Sequence, residues 1–184
     1  IRPVYNSNRG LAISCGICPK YSDLDCYQMF ANAVDEAVRN LVAVGVKLGD
    51  IAGLDNFCWP DPVESEKTPD GTHKLAQLVL TCQGLHDTCI AYKVPLISGK
   101  DSMKNDYKIG DIKISIPPTL LFTAIGFVED IQNTMTMDVK NPGDKVYLIG
   151  ETVEALGGSE WAEIHKFNGG TVPKVKTEKA INQY

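Results

Sequence analysis

The chain has 184 residues, a formal net charge of −5 and 43% hydrophobic residues. That length suits one ordinary domain, or one domain plus part of another, and the apolar content excludes wholesale disorder. The acidic balance gives no global attraction to nucleic acid or to an anionic membrane, and no apolar run approaches the ~20 residues of a membrane helix.

Taken in chain order, Leu11–Ile17 reads as a short strand. Ser22-Asp23 then offers an N-cap, and between Leu24 and Val44 apolar residues recur at 30, 33, 34, 37, 38, 41 and 42, which is the helical period, with Gly45 as the stop. Ile51–Leu54 reads as a strand with the polar pair Asp55-Asn56 at its end. Residues 60–71 hold three prolines and many charges and predict a loop, after which Thr72 caps a helix over 73–92 with an apolar stripe at 75, 78, 79, 82, 85 and 89. Pro95 opens a buried strand, Leu96-Ile97, that breaks at Gly99. Lys104–Lys113 is polar and predicts a mobile loop, whereas Thr119–Val128 is a long apolar strand. Thr134–Val139 alternates like a further strand, Lys140–Asp144 is a turn, and Lys145–Gly150 reads as a buried strand. Gly157-Gly158-Ser159 introduces a short helix, and Thr177 is placed to cap another that reaches Tyr184.

Strands alternating with helices predict α/β or α+β layers. A domain boundary is expected within 130–144, with residues 1–130 as a first domain and 131–184 as a linker and the beginning of a second. The start, Ile1-Arg2-Pro3, has no methionine and no leader character, and the last helix runs out in its second turn. Both features lead us to expect a fragment of a longer chain.

Six cysteines stand at 15, 18, 26, 58, 82 and 89, and Cys15-Gly-Ile-Cys18 has the spacing of zinc knuckles and redox motifs. No second pair or histidine follows at ligand spacing, and Pro19–Asp23 intervenes before the helix that a redox motif should open. The cysteines therefore read as reduced, mostly buried thiols of an intracellular, cytoplasmic protein.

Two groups of residues carry chemistry. The first is Gly99-Lys100-Asp101-Ser102, where a glycine lets backbone approach a ligand, a lysine meets phosphate, and a carboxylate can hold a hard cation. A polar turn that merely ends a strand is the plainer reading of the same residues. The second is a polar stripe on the first helix, Gln28, Asn32, Glu36 and Asn40, each four residues from the last. Glu36 and Asn40 could ligate Mg²⁺ together. A solvated helix face is the alternative, but the apolar crowding by Leu41, Val42 and Val44 predicts a sequestered helix. Asp55-Asn56 adds ligand groups at a strand end. Phe57 reads as core, and Trp59 as either core or a base-stacking ring.

The segments Val4–Gly10, Asp35–Asn40, Leu54–Phe57, Pro95–Met103, Ile116–Thr119 and Leu156–Glu160 resemble the phosphoribosylformylglycinamidine synthase family, more narrowly the second of its two repeated synthetase halves. The resemblance implies a domain like that of aminoimidazole ribonucleotide synthetase. Its four-stranded sheet would pair with another into a barrel, and the start of an α/β domain would follow. It also implies an amidoligase that uses ATP and Mg²⁺ to convert formylglycinamide ribonucleotide, with ammonia delivered from glutamine by a glutaminase. Glu36 and Asn40 then correspond to metal positions, Lys100, Asp101 and Ser102 to nucleotide or substrate contacts, and Asp55 and Asn56 to further contacts. No catalytic residue is assigned. The chain departs from the wider pattern at Leu41, where aspartate is common, and at Cys15–Pro19, which replaces a glycine-rich segment. These departures support an alternative, a non-catalytic half with a degenerate site that completes the barrel. The same apolar sheet face predicts self-association into a dimer.

Overall fold

A computed structural model describes residues 1–184. Its first strand, β1 (Gly10–Ile17), leads through a 3-10 turn (Pro19–Asp23) into helix α1 (Cys26–Ala43). Ser22 is occupied inside that turn, its Oγ donating to Pro19 O at 2.8 Å, so it caps nothing. Asp25 is the N-cap instead, with an extended backbone and a carboxylate that accepts from Gln28 N at 2.9 Å.

Strand β2 (Ile51–Cys58), helix α2 (Gly71–Tyr92) and strand β3 (Leu96–Ser102) form a β-α-β unit, with β2 and β3 parallel. A hairpin of β4 (Asp106–Ile109) and β5 (Ile112–Ser115) follows, then β6 (Thr119–Val128). The sheet has four strands in the order β1-β6-β2-β3, and β6 is antiparallel to both neighbours. β1, β2 and β3 therefore run in one direction and end at the same rim.

The core lies between one face of this sheet and α1. Met29, Phe30, Ala33, Val34, Ala37, Val38 and Leu41 of α1 meet Phe57, Leu120, Phe122 and Ala124 of the sheet. Two glycines set how closely the layers approach. A Cβ at Gly16 would lie 1.9 Å from Ala33 O, so α1 rests directly on the β1 backbone, and a Cβ at Gly84 would lie 2.5 Å from Tyr27 O, where α2 crosses α1. Phe30, Phe57 and Trp59 stack in sequence, with centroids 4.9 and 6.2 Å apart. Trp59 is fully buried and donates Nε1–H to Lys74 O at 3.0 Å, which makes it core.

Several expectations are corrected. β2 and β3 both extend through the polar residues expected at their ends, because each finds a ladder partner along its whole length. Leu96 and Ile97 are exposed, since β3 is the sheet's edge. Thr72 is not a cap: α2 begins at Gly71, and the Thr72 hydroxyl donates to the Glu64 carboxylate. The buried face of α2 includes Lys74, Thr81, Gly84 and Thr88, while Leu75 and Val79 of the expected stripe are half-exposed.

Residues 106–115 form the hairpin rather than a loop, and its sidedness is inverted. Asp106, Lys113 and Ser115 turn toward Lys74 of α2, while Tyr107, Ile109, Ile112 and Ile114 face outward. Beyond Val128 a short 3-10 turn (Ile131–Asn133) precedes irregular chain, α3 (Glu160–Ile164) and α4 (Thr177–Ile181). Thr177 is the first residue of α4 and Lys176 stands at its cap position. Neither 134–139 nor 145–150 is a strand. Val146, Tyr147 and Leu148 are exposed, and no neighbouring strand offers them a ladder. No helix is long and apolar enough to cross a membrane.

Candidate functional site

Register across the sheet places Ile17, Leu121, Asn56 and Lys100 in one row, near the rim where β1, β2 and β3 end. The two groups of candidate residues lie at opposite ends of this row. Three strand spacings separate β1 from β3, about 14 Å.

At the β1 end, Glu36 and Asn40 are exposed, and the expectation of a sequestered Glu36 is corrected. Glu36 Oε2 accepts the Ile17 N–H at 2.9 Å, and Asn40 Nδ2 donates to Cys15 O at 3.3 Å. The two side chains thus satisfy backbone groups that β1, an edge strand, presents to solvent. Each keeps one oxygen free. The other half of the polar stripe turns elsewhere: Gln28 and Asn32 bond the backbone of Val175 and Pro173.

At the β3 end, strand alternation divides the expected cluster. Asp55 lies over Gly99, where a Cβ would come within 2.8 Å of its Oδ1. Asp55, Gly99 and Asp101 share the face that looks toward the helices. Asn56, Lys100 and Ser102 share the open face, where Lys100 Nζ donates to Ser102 Oγ at 2.5 Å. Lys100 and Ser102 therefore converge but Asp101 does not join them as the sequence suggested, because in a continuous strand neighbours point apart. Burial raises the Asp55 pKa above the ordinary carboxylate value; a bond to its own backbone opposes this, and the Asp101 charge adds to the rise.

One atom on the open face lacks a partner: Asn56 Oδ1 is buried and accepts no hydrogen bond. A buried acceptor without a donor costs free energy, so this one is ready for a ligand N–H, O–H or cation. With the Lys100 ammonium and Ser102 hydroxyl beside it, the residues fit a phosphate-bearing polar ligand. They do not fit a protein-built Mg²⁺ site. No three His, Cys, Asp or Glu side chains stand together at metal-holding spacing, and the β1 residue that Glu36 binds lies three strand spacings, about 14 Å, from β3.

The Cys15–Cys18 pair belongs to the β1 end. Cys18 Sγ lies 3.9 Å from Glu36 Oε2, and burial first, then the Glu36 charge, pushes its pKa up to about 12. All six cysteines are free, but only Cys26 and Cys89 are buried, which corrects the expectation of mostly buried thiols.

Residues 2–128 match the model of the AIR synthase related protein, N-terminal domain. The chain belongs to this family. Among curated relatives it is 34% identical over 168 residues to phosphoribosylformylglycinamidine synthase subunit PurL of Gloeobacter violaceus, covering 91% of this chain and 20% of the relative. The PurL subunit of Methanocaldococcus jannaschii is also 34% identical, over 178 residues, covering 95% of this chain and 23% of the relative. This family member thus spans about a fifth of the length of the curated relatives it matches. Among solved structures, phosphoribosylformylglycinamidine synthase II of Thermotoga maritima has a TM-score of 0.59 at 22% identity, over 73% of this chain and 20% of that one. T. maritima PurL complexed with FGAR gives 0.59 at 24%, over 72% and 19%. These likenesses show the mixed-sheet fold of the AIR synthase related domain.

The buried carboxylate of Asp35 was not singled out from sequence. It joins Arg39, Tyr92 and Tyr184, and only its pairing with Arg39 four residues on was legible as a helix-face ion pair.

Proposed function

We propose that the chain is part of an ATP-dependent carbon–nitrogen ligase of purine biosynthesis. The whole enzyme would convert formylglycinamide ribonucleotide, ATP and glutamine to formylglycinamidine ribonucleotide. The observation that carries this reading is the orphaned Asn56 Oδ1 beside Lys100 and Ser102, at the common rim of three co-directional strands. The PurL relatives and the solved PurL complexes titled with ATP and with FGAR support the substrate classes.

In this reading Lys100 meets phosphate charge, Ser102 donates to a ligand oxygen, and Asn56 accepts from a ligand donor. Asp55 and Asp101 lie on the other face of the same strands, where the Asp101 charge raises the Asp55 pKa, and they take no part in these contacts. Glu36 and Asn40 would each offer a free oxygen to Mg²⁺, whose remaining ligands must come from outside this domain.

A second reading has one observation in its favour. The open sheet face bears half-exposed Ile13, Ile17 and Phe127 with no element over them. We propose that an equivalent sheet covers this face, the other synthetase half in a complete enzyme or a second copy for the isolated chain, and that the pair closes a barrel. Residues 1–130 would be the barrel domain and 131–184 the beginning of the next. The partner glutaminase and a cytoplasmic location belong to the same proposal.

Calorimetry with ATP on the complete polypeptide, native and Lys100→Ala, tests the first reading together with ammonia-dependent synthesis. Loss of at least tenfold in affinity supports it. Unchanged affinity and rate would leave the structural half as the better account.

A further inference from the structure

Beyond the sheet domain the chain leaves at Ile131, sets α3 against the 3-10 turn before α1 through the Lys20–Glu160 and Lys20–Glu163 ion pairs, and then runs along α1. Its last stretch lies along a line of polar side chains on that helix. Gln28 Oε1 accepts Val175 N–H at 3.1 Å, and Asn32 Nδ2 donates to Pro173 O at 2.8 Å. Asp35 Oδ1 accepts the Tyr184 hydroxyl at 2.7 Å, and the Arg39 guanidinium sits 5.5 Å from the Tyr184 ring centroid. Positions 28, 32, 35 and 39 fall on one helix face. Beneath these contacts Val172 and Ala180 are buried.

Asp35 is the centre of this arrangement. It is 6% exposed. Arg39 Nε donates to its Oδ2 at 2.5 Å, and the Tyr92 hydroxyl of α2 shares its Oδ1 with that of Tyr184. A buried carboxylate is costly unless its oxygens are filled, and an apolar side chain would pack here at less expense. What the carboxylate adds is geometry: it accepts donors from α1, α2 and the returning segment, and so fixes where each lies.

We infer that residues 171–184 are a strap and that Asp35 is its lock, a positioning residue that sets the register of the segment on α1. The apolar contacts under the strap tolerate sliding; a carboxylate with three donors does not. The stretch after α3 is therefore fixed along α1 rather than free to slide on it.

Hydrogen exchange on the full chain tests this, with Asp35→Asn, Asp35→Leu and Tyr184→Phe compared with the native protein. The reporters are the amides of Val175, Ala180, Gln183 and Tyr184, against those of β1, β2 and β6. With Tyr184→Phe, which keeps the ring, protection of the strap amides should fall about tenfold or more while sheet amides hold, the scale of losing a hydrogen bond to a charged group. Asp35→Asn and Asp35→Leu should give the same selective loss. Unchanged strap protection in Tyr184→Phe would overturn the lock. So would equal loss across the sheet in that variant, because Asp35 would then be a residue of the general core.

Discussion

Asp55 and Asp101 belong to neighbouring strands and share the helix-side face of the sheet, two carboxylates beside one another where the sequence suggested one ligand corner. Asp101 stands opposite Phe57, and Asp55 opposite Gly99. Burial raises the Asp55 pKa, and the Asp101 charge adds to it. A carboxylate whose folded pKa is raised favours folding while it is protonated. That contribution is full below the ordinary value near 4 and is lost as pH rises through the folded value. Asp55→Asn should therefore stabilise the chain at pH 7, and the advantage should shrink as pH falls through the raised folded value and be gone below about 4. Urea midpoints at the two pH values check this. A destabilised Asp55→Asn at pH 7 would mean that the carboxylate is needed as an acceptor.

Glu36 stands beside Cys18 and adds to what burial does to its thiol. The thiol is held up to about 12 by burial first and then by the Glu36 carboxylate, so at neutral pH it carries almost no thiolate. Cys15 and Cys82 are exposed and should be alkylated well before Cys18. Glu36→Gln removes the neighbouring charge and should bring the Cys18 pKa down, speeding its alkylation severalfold. The same change weakens the cap on Ile17 N–H and should cost about 1 kcal/mol. Mass spectrometry of a timed alkylation at pH 8 reads the order directly.

The parts of the fold legible in the sequence are those that local chemistry decides. The apolar period of α1 and the ten apolar-rich residues of β6 matched the elements that form. The ends of β2 and β3 were not legible, because a polar strand residue is stable wherever a neighbouring strand completes its ladder, and pairing is a tertiary fact. The same cause separated Lys100 from Asp101: read as a loop they can converge, while in a continuous strand alternation sends them to opposite faces. Residues 145–150 erred the other way. Their apolar run has the composition of a strand, but no strand lies beside it. The hairpin carried a signal in Tyr107-Lys-Ile-Gly-Asp-Ile-Lys-Ile114, where alternation flanks a Gly-Asp turn. Its charges obscured it, since Asp106 and Lys113 pair with each other on the inward side while Lys108 and Asp111 are exposed.

Gly16 is the tightest contact between the sheet and α1. A Cβ there would stand 1.9 Å from Ala33 O and 3.0 Å from Ala37 N, both backbone atoms that cannot swing aside. Gly16→Ala must lift α1 off β1, at a cost of about 2–3 kcal/mol from overpacking. Ser14→Ala, two residues away on the same face, loses only the hydroxyl donated to Ala37 O at 2.7 Å and should cost about 1 kcal/mol. Denaturant unfolding of the two variants should preserve this order. If Gly16→Ala is as mild as Ser14→Ala, the helix does not rest on the strand as described.

Alkaline pH should release the strap before it unfolds the sheet. The hydroxyls of Tyr92 and Tyr184 both donate to Asp35, and both pKa values are raised, by burial first and then by the Asp35 carboxylate. Arg39 is the cation facing the same carboxylate, and its charge partly offsets the rise at Tyr184. A tyrosine whose folded pKa is raised contributes stability that is complete below the ordinary value near 10 and is lost as pH climbs through the folded value. Strap protection should therefore be flat from pH 7 to about 9 and fall above about 10. In Tyr184→Phe one of the two titrating hydroxyls is gone, so the strap starts weaker and its further loss above that point is smaller. Limited proteolysis within 171–184 across this range follows the change. Equal alkaline sensitivity in the native chain and in Tyr184→Phe would show that the Tyr184 hydroxyl does not hold the strap.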